Sequence, residues 1–277
     1  MNDQATTLSG TEAARDGTPL RHPDRPQPKY RPLLALHHFR ELLKDKENTT
    51  EVFKIFEALP SRTFMPRVRR LMLSEQGERL RAAEPGLPSI LDDHRALRAL
   101  GKGTVAEAYC DFMEAEGLTA AGLVEESDKA GRPTFPDLVQ WYGHRLRDTH
   151  DLMHVLTGYG RDALGEQCVL LFTHGQSPSH GHLLLGYAGS WHIKKLRKSA
   201  APVGKATREA HRTGKACPAL VGMSIRELLA KDLQAARGEL NIPEPLWYRE
   251  CHRIWREEGV DPYDLLAAPE RERLAAA

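Results

Sequence analysis

The sequence predicts an all-α fold, a single compact multi-helix domain with a disordered N-terminal tail, and three observations carry that prediction. From Pro32 onward apolar residues recur at spacings of three and four, as in Leu33, Leu36, Phe39, Leu42 and Leu43, which marks one stripe of a helix. The two-residue alternation of half-buried strands is hard to find anywhere. Helix starts are written into the chain: Thr104 with Glu107 and Ser224 with Glu227 match the capping box, in which hydroxyl and carboxylate satisfy exposed backbone amides reciprocally.

Residues 1–31 are rich in Pro, Thr, Asp and Arg without a hydrophobic period, so they are expected to stay disordered. The domain is expected over 32–265, and 266–277 reads as a C-terminal tail. Helices are expected near 33–45, 50–59, 62–74, 90–99, 104–116, 119–127, 136–157, 162–174, 181–198, 202–213, 224–237 and 246–258. Gly101, Gly117, Gly131 and Gly158 follow periodic stretches, and Pro60, Pro85, Pro88, Pro133 and Pro178 fall in the gaps, where such residues stop helices. There is no internal repeat and no long linker after residue 32, so one domain is the economical reading.

The 39 basic and 38 acidic residues nearly cancel, which removes the global field expected of a nucleic-acid binder; no nucleic-acid partner is expected. Cys110, Cys168, Cys217 and Cys251 lie far apart without a Cys-x-x-Cys pair, against both a thiolate zinc site and a disulfide framework. No run approaches the roughly 18 apolar residues that span a bilayer. The first residues lack an apolar signal core and carry Asp3, Glu12, Asp16 and Asp24, too acidic for a transit peptide. A cytoplasmic protein, or one at the cytosolic face of a membrane, is expected.

The chemistry concentrates in one segment. On a helix over 136–157, His150 and His154 lie about 40° apart on one face, and Asp151 about 60° from His154, since successive residues turn by about 100°. Gly158 and Gly160 end that helix and Asp162 can cap the next, so the chain folds back and brings Glu166 opposite the histidines. Asp151 is close enough to ligate an ion directly or to act from behind its ligands. Imidazole and carboxylate donors without sulfur suit Zn2+, Fe2+, Mn2+ or Co2+ and do not choose among them.

The pattern His150-Asp151-x-x-His154, then eleven residues, then Glu166 resembles the hallmark of the coenzyme Q (ubiquinone) biosynthesis family Coq4. Arg145-Leu146-Arg147-Asp148-Thr149 before it, Leu164-Gly165 at its end, and Gly103-Thr104-Val105-Ala106-Glu107-Ala108-Tyr109 with Phe112 upstream are similar to that family too, so the likeness covers about 32–265. The resemblance implies that His150, Asp151, His154 and Glu166 hold a divalent metal, usually described as zinc. It also implies a peripheral membrane protein acting on a polyprenylated 4-hydroxybenzoate precursor of ubiquinone, removing its C1 carboxyl with C1 hydroxylation linked. The leader typical of eukaryotic members is missing, which points to a bacterial relative on the cytosolic face of the inner membrane. Expected partners are the prenylated quinone precursor, the membrane surface and other ubiquinone biosynthesis enzymes, with a homodimer left open.

Within that expectation Asp151 is the catalytic candidate, able to move a proton, while Arg145 and Arg147 are candidates for clamping a substrate carboxylate and Tyr142 for packing on the ring. The apolar run Leu183-Leu184-Leu185-Gly186-Tyr187-Ala188-Gly189, then Trp191, Lys194, Lys195, Arg197 and Lys198, suits either a membrane or prenyl contact or a buried helix with a basic C-terminus. His174, His180 and His182 surround Ser177-Pro178-Ser179 and are read as loop residues outside the site. A non-catalytic lipid-binding scaffold is the rival to a metal-dependent decarboxylase, and a metal hydrolase with Asp151 as base is a third reading.

Overall fold

The computed structural model of the chain describes residues 12–44 and 49–265. Among these the regular backbone is helical, with two isolated bridges, Ala13 to Pro19 and Thr104 to Asp232, as the extended pairings. The all-α expectation holds. The helices are α1 (Pro32–Lys44), α2 (Thr49–Ala58), α3 (Phe64–Met72), α4 (Glu75–Ala83), α5 (Pro88–Leu91), α6 (His94–Arg98), α7 (Val105–Glu116) and α8 (Ala120–Lys129). They continue as α9 (Leu138–Asp148), α10 (His150–Thr157), α11 (Ala163–Gln176), α12 (His180–Leu196), α13 (Val203–Ala216), α14 (Ile225–Leu229), α15 (Leu233–Glu239) and α16 (Leu246–Glu257).

Three expected helices are broken, each for a local reason. The one over 90–99 divides between Asp92, whose carboxylate takes the Ala120 and Ala121 amides, and Asp93, which caps α6 by accepting from the Ala96 amide. The one over 136–157 divides at Thr149, whose φ of −90° and ψ of 2° leave the helix and whose Oγ1 donates back to the carbonyls of Arg145 (3.0 Å) and Leu146 (3.3 Å). Such back-bonding bends helices. The one over 224–237 divides at Asp232, whose Oδ1 accepts from the amides of Gln234 and Ala235 and so starts α15. There the backbone leaves the helix to bond Gly103 and Val105 across the chain. Helix α4 was missed because it buries only Gly77 and Leu80, too few for a stripe, although Ser74 caps it.

Helices α11, α12 and α13 run up, down and up at the centre, and α16 packs on α13. A Cβ at Gly186 would fall 2.5 Å from Leu171 Cγ, and one at Gly189 2.4 Å from Gln167 Oε1, so these glycines admit the neighbouring helix α11. Leu185 and Ile193 of α12 are buried while Trp191 stays 63% exposed. The main core gathers Tyr109, Leu152, Leu156, Cys168, Phe172 and Trp255 from α7, α10, α11 and α16. Ala35, Ile55 and Leu185 tie the α1–α2 hairpin to α12.

Residues 12–31, expected within a disordered tail, form an ordered arm instead. Leu20 is buried among Val68, Met72, Leu138 and Tyr142. The carbonyls of Pro19 and Leu20 accept from the first amides of α9, at 3.0 and 3.2 Å from Leu138 and Val139. Arg25 grips Asp137 through Nε (2.7 Å) and Nη2 (2.8 Å). An extended segment held by isolated apolar contacts and by hydrogen bonds leaves no period to read. The expectations for residues 1–11 and 266–277 lie outside the described residues. No described helix is long and apolar enough to cross a membrane.

Candidate metal centre

Helix α10 begins at His150, so the break at Thr149 leaves His150 and His154 on one regular turn. Gly158 ends the helix in the left-handed region (φ 74°), with its amide on the His154 carbonyl at 2.8 Å. The chain then turns so that the Tyr159 carbonyl lies 3.0 Å from His154 Nδ1. A carbonyl can only accept, so Nδ1 carries the proton and Nε2 is left with its lone pair outward.

Asp162 starts α11. Its Oδ1 accepts from the amides of Leu164 (3.1 Å) and Gly165 (3.2 Å), and the Tyr248 hydroxyl donates to Oδ2. That hydroxyl also accepts from the Gly160 amide at 2.9 Å, which ties the turn to α16. His252 Nε2 lies 3.2 Å from Asp162 Oδ1. Glu166, one turn along, is thereby set against the histidines.

The donor atoms of three side chains converge. His150 Nε2 and His154 Nε2 are 3.4 Å apart, Glu166 Oε2 is 3.5 Å from the first and Oε1 3.6 Å from the second. Tetrahedral ligands at about 2.0–2.1 Å from an ion stand about 3.4 Å from one another. The trio therefore fits a divalent metal as it stands. The His154 side chain is fully enclosed, whereas His150 and Glu166 expose about 30% of theirs, which leaves one side open for a further ligand. Phe112 of α7 stacks on His154, with centroids 5.5 Å apart. Arg161 Nε lies 3.8 Å from Glu166 Oε1 and its Nη1 3.9 Å from Glu116 Oε2.

Glu166 and the histidines also perturb one another. Burial pushes the Glu166 carboxyl up, but its contacts with His150 and His154 outweigh that and hold it far below the usual range. Burial pushes His150 down, and Glu166 then carries it above its ordinary value.

The other sequence candidates fare differently. Asp151 is buried beside His150, but its carboxylate stands outside the converging trio, so of its two expected roles direct ligation is not what the structure brings together. It adjoins the Tyr109 phenol, which burial first and the Asp151 charge second push well above the ordinary range, and whose hydroxyl has no hydrogen-bond partner. Arg145 is buried and engaged within the fold, paired with Glu84 at 2.7 Å, with its Nε donating to the Val221 carbonyl at 2.9 Å. Tyr142 is core, edge-on to Phe64. Arg147 bonds Asp148 at 2.7 Å. His174, His180 and His182 are helical rather than loop residues, on α11 and the first turn of α12. His182 packs on Phe56 and is near enough to His150 to feel its charge. Arg161 and Glu116 had no sequence signal beyond their charge.

The family model described as coenzyme Q (ubiquinone) biosynthesis protein Coq4 matches residues 33–245. The chain belongs to the Coq4 family. Membership places it in ubiquinone biosynthesis. A mitochondrial ubiquinone biosynthesis protein COQ4 from Ajellomyces capsulatus (strain NAm1 / WU24) is 27% identical over 210 residues, covering 73% of this chain and 71% of that one. The Coq4 relative from Penicillium rubens, also named mitochondrial, is 25% identical over 276 residues, 92% of this chain and 91% of its own. A crystal structure from Nostoc punctiforme PCC 73102, of a protein provisionally assigned to ubiquinone biosynthesis, superposes with a TM-score of 0.56 at 19% identity. It covers 78% of this chain and all of that one, and shows that the fold is shared.

Proposed function

We propose that this Coq4 chain is a metal-dependent enzyme that removes the C1 carboxyl of a polyprenylated 4-hydroxybenzoate precursor of ubiquinone, with C1 hydroxylation linked to that loss. The observation that carries the reading is the convergence of His150, His154 and Glu166 on a partly open face. A bound divalent ion, Zn2+ first and Fe2+, Mn2+ or Co2+ as the other candidates, supplies a Lewis acid that stabilises negative charge near the ring.

The side chains supply the rest. His154, fixed through Tyr159, and Glu166, fixed through the Asp162 turn, are held before substrate arrives, so little reorganisation is needed. Phe112 walls one side of the site. Arg161, beside Glu166 at the rim, is placed to meet a substrate carboxylate, the role that Arg145 does not fill. As the bond from C1 to the carboxyl breaks, its electron pair stays on C1, carbon dioxide leaves, and Asp151 delivers the proton that C1 takes up. Where hydroxylation is linked, water supplies the hydroxyl that replaces the carboxyl at C1, carbon dioxide leaves, and dioxygen takes up the electron pair and two protons to leave as hydrogen peroxide. The enzyme works at the cytosolic face of the inner membrane, where a prenylated substrate is dissolved, alongside the other enzymes of the pathway.

The test combines metal analysis with an assay on a C1-carboxylated prenyl phenol. His150→Ala with His154→Ala should lose the stoichiometric ion. Asp151→Asn should keep most of it and lose at least about a hundredfold in product per bound metal, the scale of a positioned acid or base. If neither wild type nor Asp151→Asn forms product, yet both restore quinone synthesis in cells lacking the protein, a non-catalytic scaffold for prenylated intermediates replaces the enzyme reading.

A further inference from the structure

Away from the metal centre, α12, α13 and the start of α16 enclose a surface pocket of about 450 Å3 lined by Tyr187, Lys205, Arg208, His211, Arg212 and Trp247. Its size falls within the range of small-molecule sites, and no acid is among its lining residues. Lys205, Arg208 and Arg212 recur at spacings of three and four, so they form one exposed stripe of α13.

The charge of that stripe is not neutralised from within. Glu209 is the only acid on α13, and its carboxylate is taken by the Trp247 amide at 3.0 Å. Among the described residues neither Arg208 nor Arg212 has an acidic partner within ion-pair distance. Some other exposed arginines, Arg98, Arg249 and Arg253 among them, are matched to a carboxylate. The aromatic wall is fixed: Lys205 Nζ lies 4.0 Å from the centroid of the Trp247 ring, and Tyr187 Oη 3.1 Å from His211 Nδ1. His211 Nε2 has no partner in the protein.

We propose that this pocket is a binding site for a phosphate ester, separate from the metal centre and independent of the reaction proposed there. Two guanidinium forks and an ammonium match the several oxygens and the double charge of a phosphate better than the single charge of a carboxylate. Tyr187 and Trp247 give the organic part an apolar surface. A free phosphate metabolite and the headgroup of an anionic lipid share this chemistry.

Calorimetric titration of the full chain with pyrophosphate and with glycerol 3-phosphate tests the free source. Flotation with phosphatidylcholine vesicles, with and without phosphatidic acid, tests the lipid source. Binding in either arm should weaken at least about tenfold in Arg208→Gln with Arg212→Gln, since a charge-assisted hydrogen bond is lost at each position. Arg208→Lys with Arg212→Lys should recover part of it. Arg70→Gln with Arg95→Gln removes the same charge from other exposed positions and should change nothing. Saturable binding of a soluble phosphate identifies the free source, and variant-sensitive flotation alone identifies the headgroup. No binding in either arm, or an equal loss in the control pair, overturns the site.

Discussion

Arg145 shows how a charged residue beside a reactive motif can be structural. It is five positions before His150, about 140° around an unbroken helix, so it points away from the ligand face even before Thr149 breaks the helix. It meets Glu84 instead, whose carboxyl burial pushes up but the Arg226 amide and Arg145 hold below its ordinary range. Removing one partner leaves the other charge buried and unpaired, so Arg145→Ala should cost about 3–5 kcal/mol. Urea unfolding measures this, and product per folded, metal-loaded protein should stay near wild type; a collapse in turnover at unchanged stability would return Arg145 to the substrate. His182 makes a second prediction. Burial pushes its imidazole down to about 3, with the His150 charge adding to the effect, whereas in the unfolded chain it titrates near the ordinary 6.5. The unfolded state takes the proton first, so this contribution is intact above about pH 6.5 and lost progressively as pH falls towards 3. Between pH 7.5 and 5.5 wild type should lose about 1 kcal/mol more than His182→Leu. Equal losses would show that His182 is not held neutral.

Two close approaches between elements separate site geometry from general packing. A Cβ at Gly165 would fall 1.9 Å from the Gly160 carbonyl oxygen, inside the turn that aims Glu166, while one at Gly214 would fall 2.0 Å from the Phe172 oxygen where α13 meets α11. Backbone cannot give way as a flexible side chain does, so each alanine should destabilise by about 1–3 kcal/mol. Only Gly165→Ala should also weaken metal binding, by at least about tenfold, because it pushes apart the turn that sets Glu166 against His150 and His154. Zinc affinity measured on both variants checks the contrast; matching affinities would mean that the Asp162 turn does not set the centre. The sequence made half of this legible. Fixed helical spacing put His150 and His154 on one face, and Gly158 with Asp162 announced the return to Glu166. The pieces that hold the turn, Tyr248 and His252 on α16, lie more than eighty residues away, and local spacing carries no information about such partners.

At the scale of the whole molecule, fold class and most helices were legible because amphipathic periods and caps are local, whereas α4 buries too few residues for a stripe and the N-terminal arm makes contacts that are neither periodic nor local. The arm is continuous with the site's support. Its Pro19 and Leu20 carbonyls take the first amides of α9, its Arg25 closes on Asp137, and α9 leads through Thr149 into the helix that carries His150. On the other side Asp16 pairs with Arg81 of α4 at 2.7 Å, so the arm joins two parts of the helical array. Leu20 is its buried apolar anchor, 4% exposed within the cluster of Val68, Met72 and Tyr142. Leu20→Ala should cost about 2–4 kcal/mol, the scale of a buried leucine truncated in a packed core. At about 2–4 °C per kcal/mol for a domain of this size, the melting temperature should fall by several degrees. Deleting residues 1–31 removes the anchor, the Asp137 ion pair and the α9 amide partners together, so it should destabilise more than Leu20→Ala alone. A calorimetric scan of metal-free protein isolates the effect from any ion bound at the centre. If the truncated chain melts with wild type, the arm is an appendage and α9 is held by its own packing; if Leu20→Ala and the deletion lower the transition in that order, the domain begins within the arm, before the first helix.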